Sequence, residues 1–329
     1  MSGEIRIGTS GWNYPSGRGT WDGVFYPPKA GRDRHGKTFD ELAYYAAHFN
    51  TVEVNSTFYG QPRPEVAAGW VRRTPPGFEF SVKLYQKFTH PRMFKQRLER
   101  SLAAKAPEAN TDIASSALAT PTQADLDEFR RGIEPLAAGG KLGALLAQFP
   151  PSFKYGDAEC AYLTDLLHAF NSYPVAVELR HRSWSDRFAD TLALLNAFEA
   201  AWTQIDEPKF RFSIQQNFLP NVRGFYYMRL HGRNAEQWWR HEHAEDRYNY
   251  FYNAGELEEF TETAKSASAL VKKVYLYTNN HASARSVANA AMLKQQLGEP
   301  LDGEYPDTFI ETYPELAGVL KPTPSRTLL

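Results

Sequence analysis

Glu53 and Asn55 alternate with Val52 and Val54 in the run Thr51 to Tyr59. Alternation over β-branched residues is a strand pattern, and it puts a carboxylate and an amide on the face opposite the valines. In an enclosed space such groups must be hydrogen-bonded or reactive. The arrangement recurs along the chain. With the apolar face of each run taken as outward, Gly8 and Ser10, Ser81 and Lys83, and Gln148 share the inward parity. So do Glu178 and Arg180, Gln204 and Asp206, Arg229 and His231, and Tyr277 and Asn279.

These residue types allow a definite chemistry. Glu53 and Glu178, held at different pKa by unequal surroundings, would make an acid and a base. Asp206, Glu178 and His231 together could hold a divalent metal, although one histidine and no H-E-x-x-H spacing is a weak signal. Lys83, Arg180 and Arg229 exceed the one or two bases needed to balance the carboxylates, which favours an anionic ligand. The catalytic candidates are therefore Glu53, Glu178, His231 and Asp206. The ligand-binding candidates are Ser10, Trp12, Asn55, Lys83, Gln148, Arg180, Arg229, Asn279 and Asn280. Ser283 and Arg285 could add a phosphate site at a helix N-terminus, where an ordinary serine N-cap is the plainer reading. The plainer reading of the whole ring is a network of satisfied ion pairs.

Such a ring needs elements that converge. Strands are expected at Ile5–Ser10, from Thr51, and at Phe78–Leu84, Leu142–Phe149 and Val175–Arg180. Three more follow at Ala201–Asp206, Gly224–His231 and Val274–Asn279. Most are followed by a helical pattern, the first opened by a Thr38/Glu41 capping box. Eight βα units argue for a parallel sheet closed into a TIM-type (β/α)8 barrel with inserted loops, whose catalytic groups would stand at the C-terminal strand ends. An open doubly wound sheet predicts a G-x-G-x-x-G turn after the first strand, and none is present. The chain reads as one barrel domain over 1–329, with an insertion at about 86–123 and an irregular tail over 300–329.

Composition narrows the classes. Of 329 residues 42% are hydrophobic and 23% charged, with a net charge of -1, so no global basic field attracts nucleic acid. The single cysteine excludes an internal disulfide and fits a reducing compartment. With neither a signal-peptide pattern nor a long apolar run, a soluble cytoplasmic protein without membrane attachment is expected. The loop from Gly232 to Asn253 interleaves Trp238, Trp239, Tyr248, Tyr250, Phe251 and Tyr252 with Arg240, His241, His243 and Arg247. Such a segment either stacks on single-stranded nucleic acid or packs as a lid.

The assembled motifs resemble the YecE-like family, domain of unknown function 72, from Ile7 to about Leu297. The segments that carry the likeness are Ile7-Gly8-Thr9-Ser10-Gly11-Trp12, Phe49 to Tyr59, Thr74-Pro75-Pro76-Gly77-Phe78 and Phe80-Ser81-Val82-Lys83. Further matches are Gln148 to Phe153, Glu178-Leu179-Arg180-His181 with Trp184, Arg229-Leu230-His231-Gly232-Arg233 and Asn279-Asn280-His281. The resemblance implies a TIM-type barrel and no particular chemistry. The expected function is an enzyme doing acid–base chemistry on a small anionic substrate. The alternatives are a nucleic-acid-binding or phosphodiester-cleaving protein, and a metabolite binder without turnover.

Overall fold

Nine parallel strand segments carry the architecture, in a computed structural model that describes residues 2–14, 17, 19–27, 39–105, 112–238 and 246–323. They are β1 (Glu4–Thr9), β2 (Thr51–Val54), β3 (Glu79–Lys83), β4 (Leu142–Gln148) and β5 (Val175–Glu178), then β6 (Ala201–Trp202), β7 (Gln204–Asp206), β8 (Phe225–Leu230) and β9 (Lys273–Thr278). Hydrogen bonding divides them into two sheets, β2-β3-β4-β5-β6 and β1-β9-β8-β7. The expected sixth strand is split between the sheets. Ala201 and Trp202 pair with β5, Gln204 to Asp206 pair with β8, and Thr203 is the step between them. At the other seam the sheets touch through one bridge, Ser10 with Glu53, and the Gly11 amide donates to the Glu53 carbonyl at 2.8 Å.

Side chains from both sheets meet in the space between them. Ala144, Leu146, Ala176 and Ala201 from one sheet pack with Phe225, Tyr227, Tyr275 and Tyr277 from the other. Small residues on one side leave room for rings on the other, and each buried ring is worth about 1.5–3 kcal/mol. The opposite strand faces bury Val52, Val54, Val82, Val177, Met228 and Leu276 within a larger core shared with the helices.

Four expectations need correction. The Thr51 strand stops at Val54, and Ser56–Tyr59 is a helical turn. The Thr57 hydroxyl bonds back to the Val54 carbonyl and on to the Lys83 carbonyl, which turns the chain there. Thr38 lies outside the described residues, and the helix Glu41–Ala46 is capped by Asp40, which accepts from the Ala43 amide. The expected insertion is mainly helical, with Gln86–Thr89, Pro91–Lys105 and Asp112–Ala119. The tail holds a short helix, Asp307–Thr312, and buries Tyr305, Phe309 and Leu316. Among the described residues no helix is long and apolar enough to cross a membrane.

The last βα turn is unusual. Ser283 and Ala284 both have left-handed backbones, with φ of 52° and 62°. Ala284, not Ser283, is the N-cap of the helix Arg285–Leu297, and it makes no side-chain cap. The serine-cap expectation therefore fails. The kink is held from outside: the Ser283 amide donates to the Gly19 carbonyl, and the Tyr313 hydroxyl donates to the Ser283 carbonyl.

Candidate functional site

Arg229, near the C-terminal end of β8, joins the two sheets chemically. It is buried, and its guanidinium reaches Glu53 through Nε at 2.9 Å and Nη2 at 2.7 Å. Its Nη1 donates to Glu178 at 2.5 Å and to the Gln148 amide oxygen at 3.2 Å. Glu53 also accepts from the Tyr227 hydroxyl at 2.8 Å and from the Ser10 hydroxyl. Glu178 accepts from Arg180 Nε at 2.7 Å, and Arg180 Nη1 lies 3.4 Å from Glu207. The result is an alternating chain, Glu53–Arg229–Glu178–Arg180–Glu207. In a poorly solvated interior each charge depends on its neighbours. Burial alone would raise the Glu178 pKa, yet Arg229 and Arg180 hold it well below the carboxylate range. Glu207 goes the other way, raised by burial against the pull of Arg180.

His231 completes this layer. Its Nε2 lies 3.1 Å from Arg180 Nη2 and 3.3 Å from Arg229 Nη1. Guanidinium nitrogens only donate, so Nε2 must be the bare acceptor and Nδ1 carries the ring proton. The Asn279 amide, 2.8 Å from Nδ1, must then present its oxygen to the ring. Burial, then repulsion from Arg229 and Arg180, lowers the His231 pKa to about 3, so the ring is neutral at pH 7.

Lys83, the last residue of β3, differs from its neighbours. Its amine makes no hydrogen bond or ion pair among the described residues and sits 4.3 Å from the centre of the Phe58 ring. Desolvation, then repulsion from Arg229, lowers its pKa to about 7, against the pull of Glu53 and Glu178. The backbone beneath it is fixed, because Thr57 donates to the Lys83 carbonyl at 2.6 Å.

Above this layer opens a cavity of about 260 Å³, lined by Tyr14, Asn55, Phe58, Tyr59, Lys83, Gln148, Arg229, Tyr248, Asn279 and His281. Among the described residues no carboxylate lines it. The acids are covered by arginines, whereas two cations, three amides and several phenols face the space. Asn55 donates to Ser10 at 2.8 Å and leaves its own amide oxygen buried without a partner. A second, apolar cavity of about 440 Å³ lies between His90, Met93, Phe149 and Tyr162, and its His90 ring stands 5.0 Å from Phe58 of the first. It has no comparable set of converging donors.

The structure therefore brings together Ser10, Glu53, Asn55, Lys83, Gln148, Glu178, Arg180, Arg229, His231 and Asn279. Three expected members lie elsewhere. Asp206 accepts from Arg233 at 2.9 Å and from the Tyr252 hydroxyl at 2.7 Å. Ala201 packs into the inter-sheet space and Gln204 bonds the loop residue Phe218, so even-numbered residues of this segment turn outward. The inward group at this strand end is Glu207. Asn280 is tied to the Tyr250 carbonyl at 2.8 Å and to Asn289 at 2.7 Å. Trp12 packs edge-on against Trp70, 5.6 Å away.

With Asp206 turned away and His231 committed to arginine donors, the expected metal set does not assemble. Among the described residues no group of three His, Cys, Asp or Glu side chains could hold an ion. In the aromatic loop, Trp238 and Tyr252 are buried, and Tyr248 alone of its described rings lines the cavity. Trp239, Arg240, His241 and His243 lie outside the described residues. Tyr14, Phe58 and Tyr59 are lining residues that strand periodicity had no means of finding.

Comparison with known proteins gives a consistent match. The profile of a family described as "Protein of unknown function DUF72" matches residues 6–308. The UPF0759 protein YunF of Bacillus subtilis is 29% identical over 316 residues, which is 92% of this chain and 96% of that protein. The UPF0759 protein YecE of Escherichia coli is 43% identical over 49 residues, 15% of this chain and 18% of its own. A crystal structure of a DUF72 family protein from Thermotoga maritima is 32% identical, with a TM-score of 0.70 over 90% of this chain and 100% of the other.

Proposed function

The chain belongs to the DUF72 family, and from the lining of its cavity we propose that it is an enzyme acting on a small anionic, phosphate- or carboxylate-bearing substrate. The site would be the C-terminal mouth of a closed (β/α)8 barrel. Closure is supported by the strand segment shared between the sheets at Thr203, by the Ser10–Glu53 bridge, and by the common interior of alanines and tyrosines.

One observation carries the reading: among the described residues the cavity wall presents Lys83, Arg229, Asn55, Gln148 and Asn279 and no carboxylate. A surplus of bases does not carry it. With Glu207 counted, three carboxylates face Arg180, Arg229 and Lys83, so the numbers balance. What favours an anion is placement, with the acids behind and an unpaired amine in front. The same placement reassigns the roles of the glutamates. Glu53 and Glu178 are saturated with donors, which suits them to fixing Arg229. Proton transfer falls to Lys83, whose amine changes charge near neutral pH.

The test is thermal unfolding of the protein and of Lys83→Met against phosphates and short carboxylates, followed by turnover assays on any compound that binds. A ligand at a hundred times its Kd should stabilise the wild type by about 2.7 kcal/mol and the variant much less. Equal stabilisation of both, or none by any anion, would overturn the proposal. Binding by Lys83 without turnover of any compound would favour a metabolite-binding protein at the same site. Binding of single strands finds less support, because in the 246–253 loop Tyr252 is buried and Tyr250 and Phe251 pack against the core, which leaves Tyr248 at the cavity.

A further inference from the structure

Lys83 supports a more specific chemistry than charge recognition. Its amine stands at a rigid strand end, on the face of Phe58, in a cavity whose described lining residues supply it with no carboxylate. Other buried lysines of the molecule have hydrogen-bond partners, Lys294 the His48 carbonyl at 2.9 Å. Lys141 reaches the carbonyls of Val71, Thr74 and Pro75 and the Thr74 hydroxyl, and Lys87 pairs with Asp125 at 2.7 Å. Lys83, half-buried and without such partners, has its lone pair available whenever it is unprotonated. Desolvation beside another cation is what activates a lysine toward carbonyl carbon.

We infer that Lys83 forms an imine with a carbonyl substrate that also carries an anionic group, a small oxo acid or a phosphorylated aldehyde or ketone. The inference rests on the anion-binding reading above. The Nζ lone pair attacks the carbonyl carbon, and the carbonyl oxygen takes a proton to give a carbinolamine. That hydroxyl takes a second proton and leaves as water, forming the protonated imine. One carbonyl and one ammonium thus give one iminium and one water, and no oxidant or reductant is consumed. Arg229, with the amide groups of Gln148 and Asn55, would hold the anionic end. The iminium then draws electrons from a bond to the adjacent carbon, so the substrate is one activated at that position.

The amine's depressed basicity sets the expected selectivity. At pH 7 about half of Lys83 is free amine, whereas an ordinary exposed lysine is almost wholly protonated. The experiment uses the full chain with glyoxylate as the carbonyl probe and cyanoborohydride to reduce any imine, followed by peptide mass mapping. Carboxymethylation should fall on Lys83 at least roughly tenfold faster than on exposed lysines, with a pH midpoint near 7. Lys83→Arg, which keeps the charge and cannot form the imine, should lose that adduct while its circular dichroism and melting curve stay native. Glycolate, which has the carboxylate and no carbonyl, separates the two readings through its thermal shift. A glycolate shift with no preferential Lys83 adduct ends the imine and leaves the anion site standing. Neither signal ends both. Labelling of Lys83 no faster than of surface lysines overturns the inference in every case.

Discussion

Two buried charge clusters lie at opposite ends of the same strands, and they differ in what they leave unpaired. At the N-terminal end Glu79 gathers Arg6 at 3.3 Å, Lys273 at 2.5 Å and the Tyr275 hydroxyl at 2.5 Å. Arg6 also reaches Glu4 and the carbonyls of Asn50 and Gly77. Two cations there share Glu79, Glu4 adds a second acid on Arg6, and each charged group has a partner. At the C-terminal end the arginines and glutamates are equally well matched, but Lys83 stands outside the chain of pairs and faces a cavity. Buried charge by itself marks a site poorly, since both ends have it. The unpaired amine, beside a cavity wall whose described residues include no acid, is what distinguishes the C-terminal cluster from the N-terminal one.

The largest effect should come from Arg229. Arg229→Met leaves Glu53 and Glu178 buried without their shared counter-ion, and urea unfolding should register a loss of about 3–5 kcal/mol. A loss under about 1 kcal/mol would mean that water reaches the glutamates and that the mouth is not the dry layer described. Glu79→Gln should cost about 1–3 kcal/mol at the other end and leave anion-induced stabilisation unchanged. A matching loss of anion binding would erase the distinction between the clusters.

Lys83→Met should change stability least, by under about 1 kcal/mol, near pH 10, and should be the more stable protein at pH 7, where the wild type still carries the desolvated charge. The folded amine titrates near 7 and the unfolded one near 10.5, so the unfolded chain binds more protons between those values. Wild-type stability relative to Lys83→Met should therefore rise with pH across that window. Parallel stability curves for the two proteins would contradict the depressed amine. In acid the sign agrees, through other groups. His231, neutral down to about pH 3, and Glu178, ionised well below its ordinary value, both make the fold lose stability as pH falls below their unfolded values.

Much of this site could be read from parity because a strand end allows only two directions. Glu53, Lys83, Gln148, Glu178, Arg229 and Asn279 each end a run whose apolar face is plain, and they meet. Parity misled at the sixth strand for a physical reason. The chain there changes sheets at Thr203 after two residues, and the outward positions are polar ones held by loops, Gln204 by Phe218 and Asp206 by Arg233. Ile205, paired with Arg229, takes the inward parity instead, and Glu207 falls one residue beyond the expected strand end at Asp206. Contributions from loops had no periodicity to betray them, so Tyr14, Phe58 and Tyr59 emerged only with coordinates. Paired and unpaired charge was equally hidden, because spacing reports which residues converge and not which bond each one takes.

The left-handed pair Ser283–Ala284 has a consequence for how the molecule tolerates change. Each such residue costs about 1–3 kcal/mol and endures only while its surroundings insist on it. Here the insistence comes from Gly19 in the first loop and Tyr313 near the end of the chain, while Trp21 grips the His281 carbonyl at 2.8 Å. The C-terminal segment thus splints the turn that leads away from the wall residue His281. Shortening it before Tyr313 would let the last βα turn relax and carry His281 out of alignment, so the far end of the polypeptide helps to tune the pocket from behind.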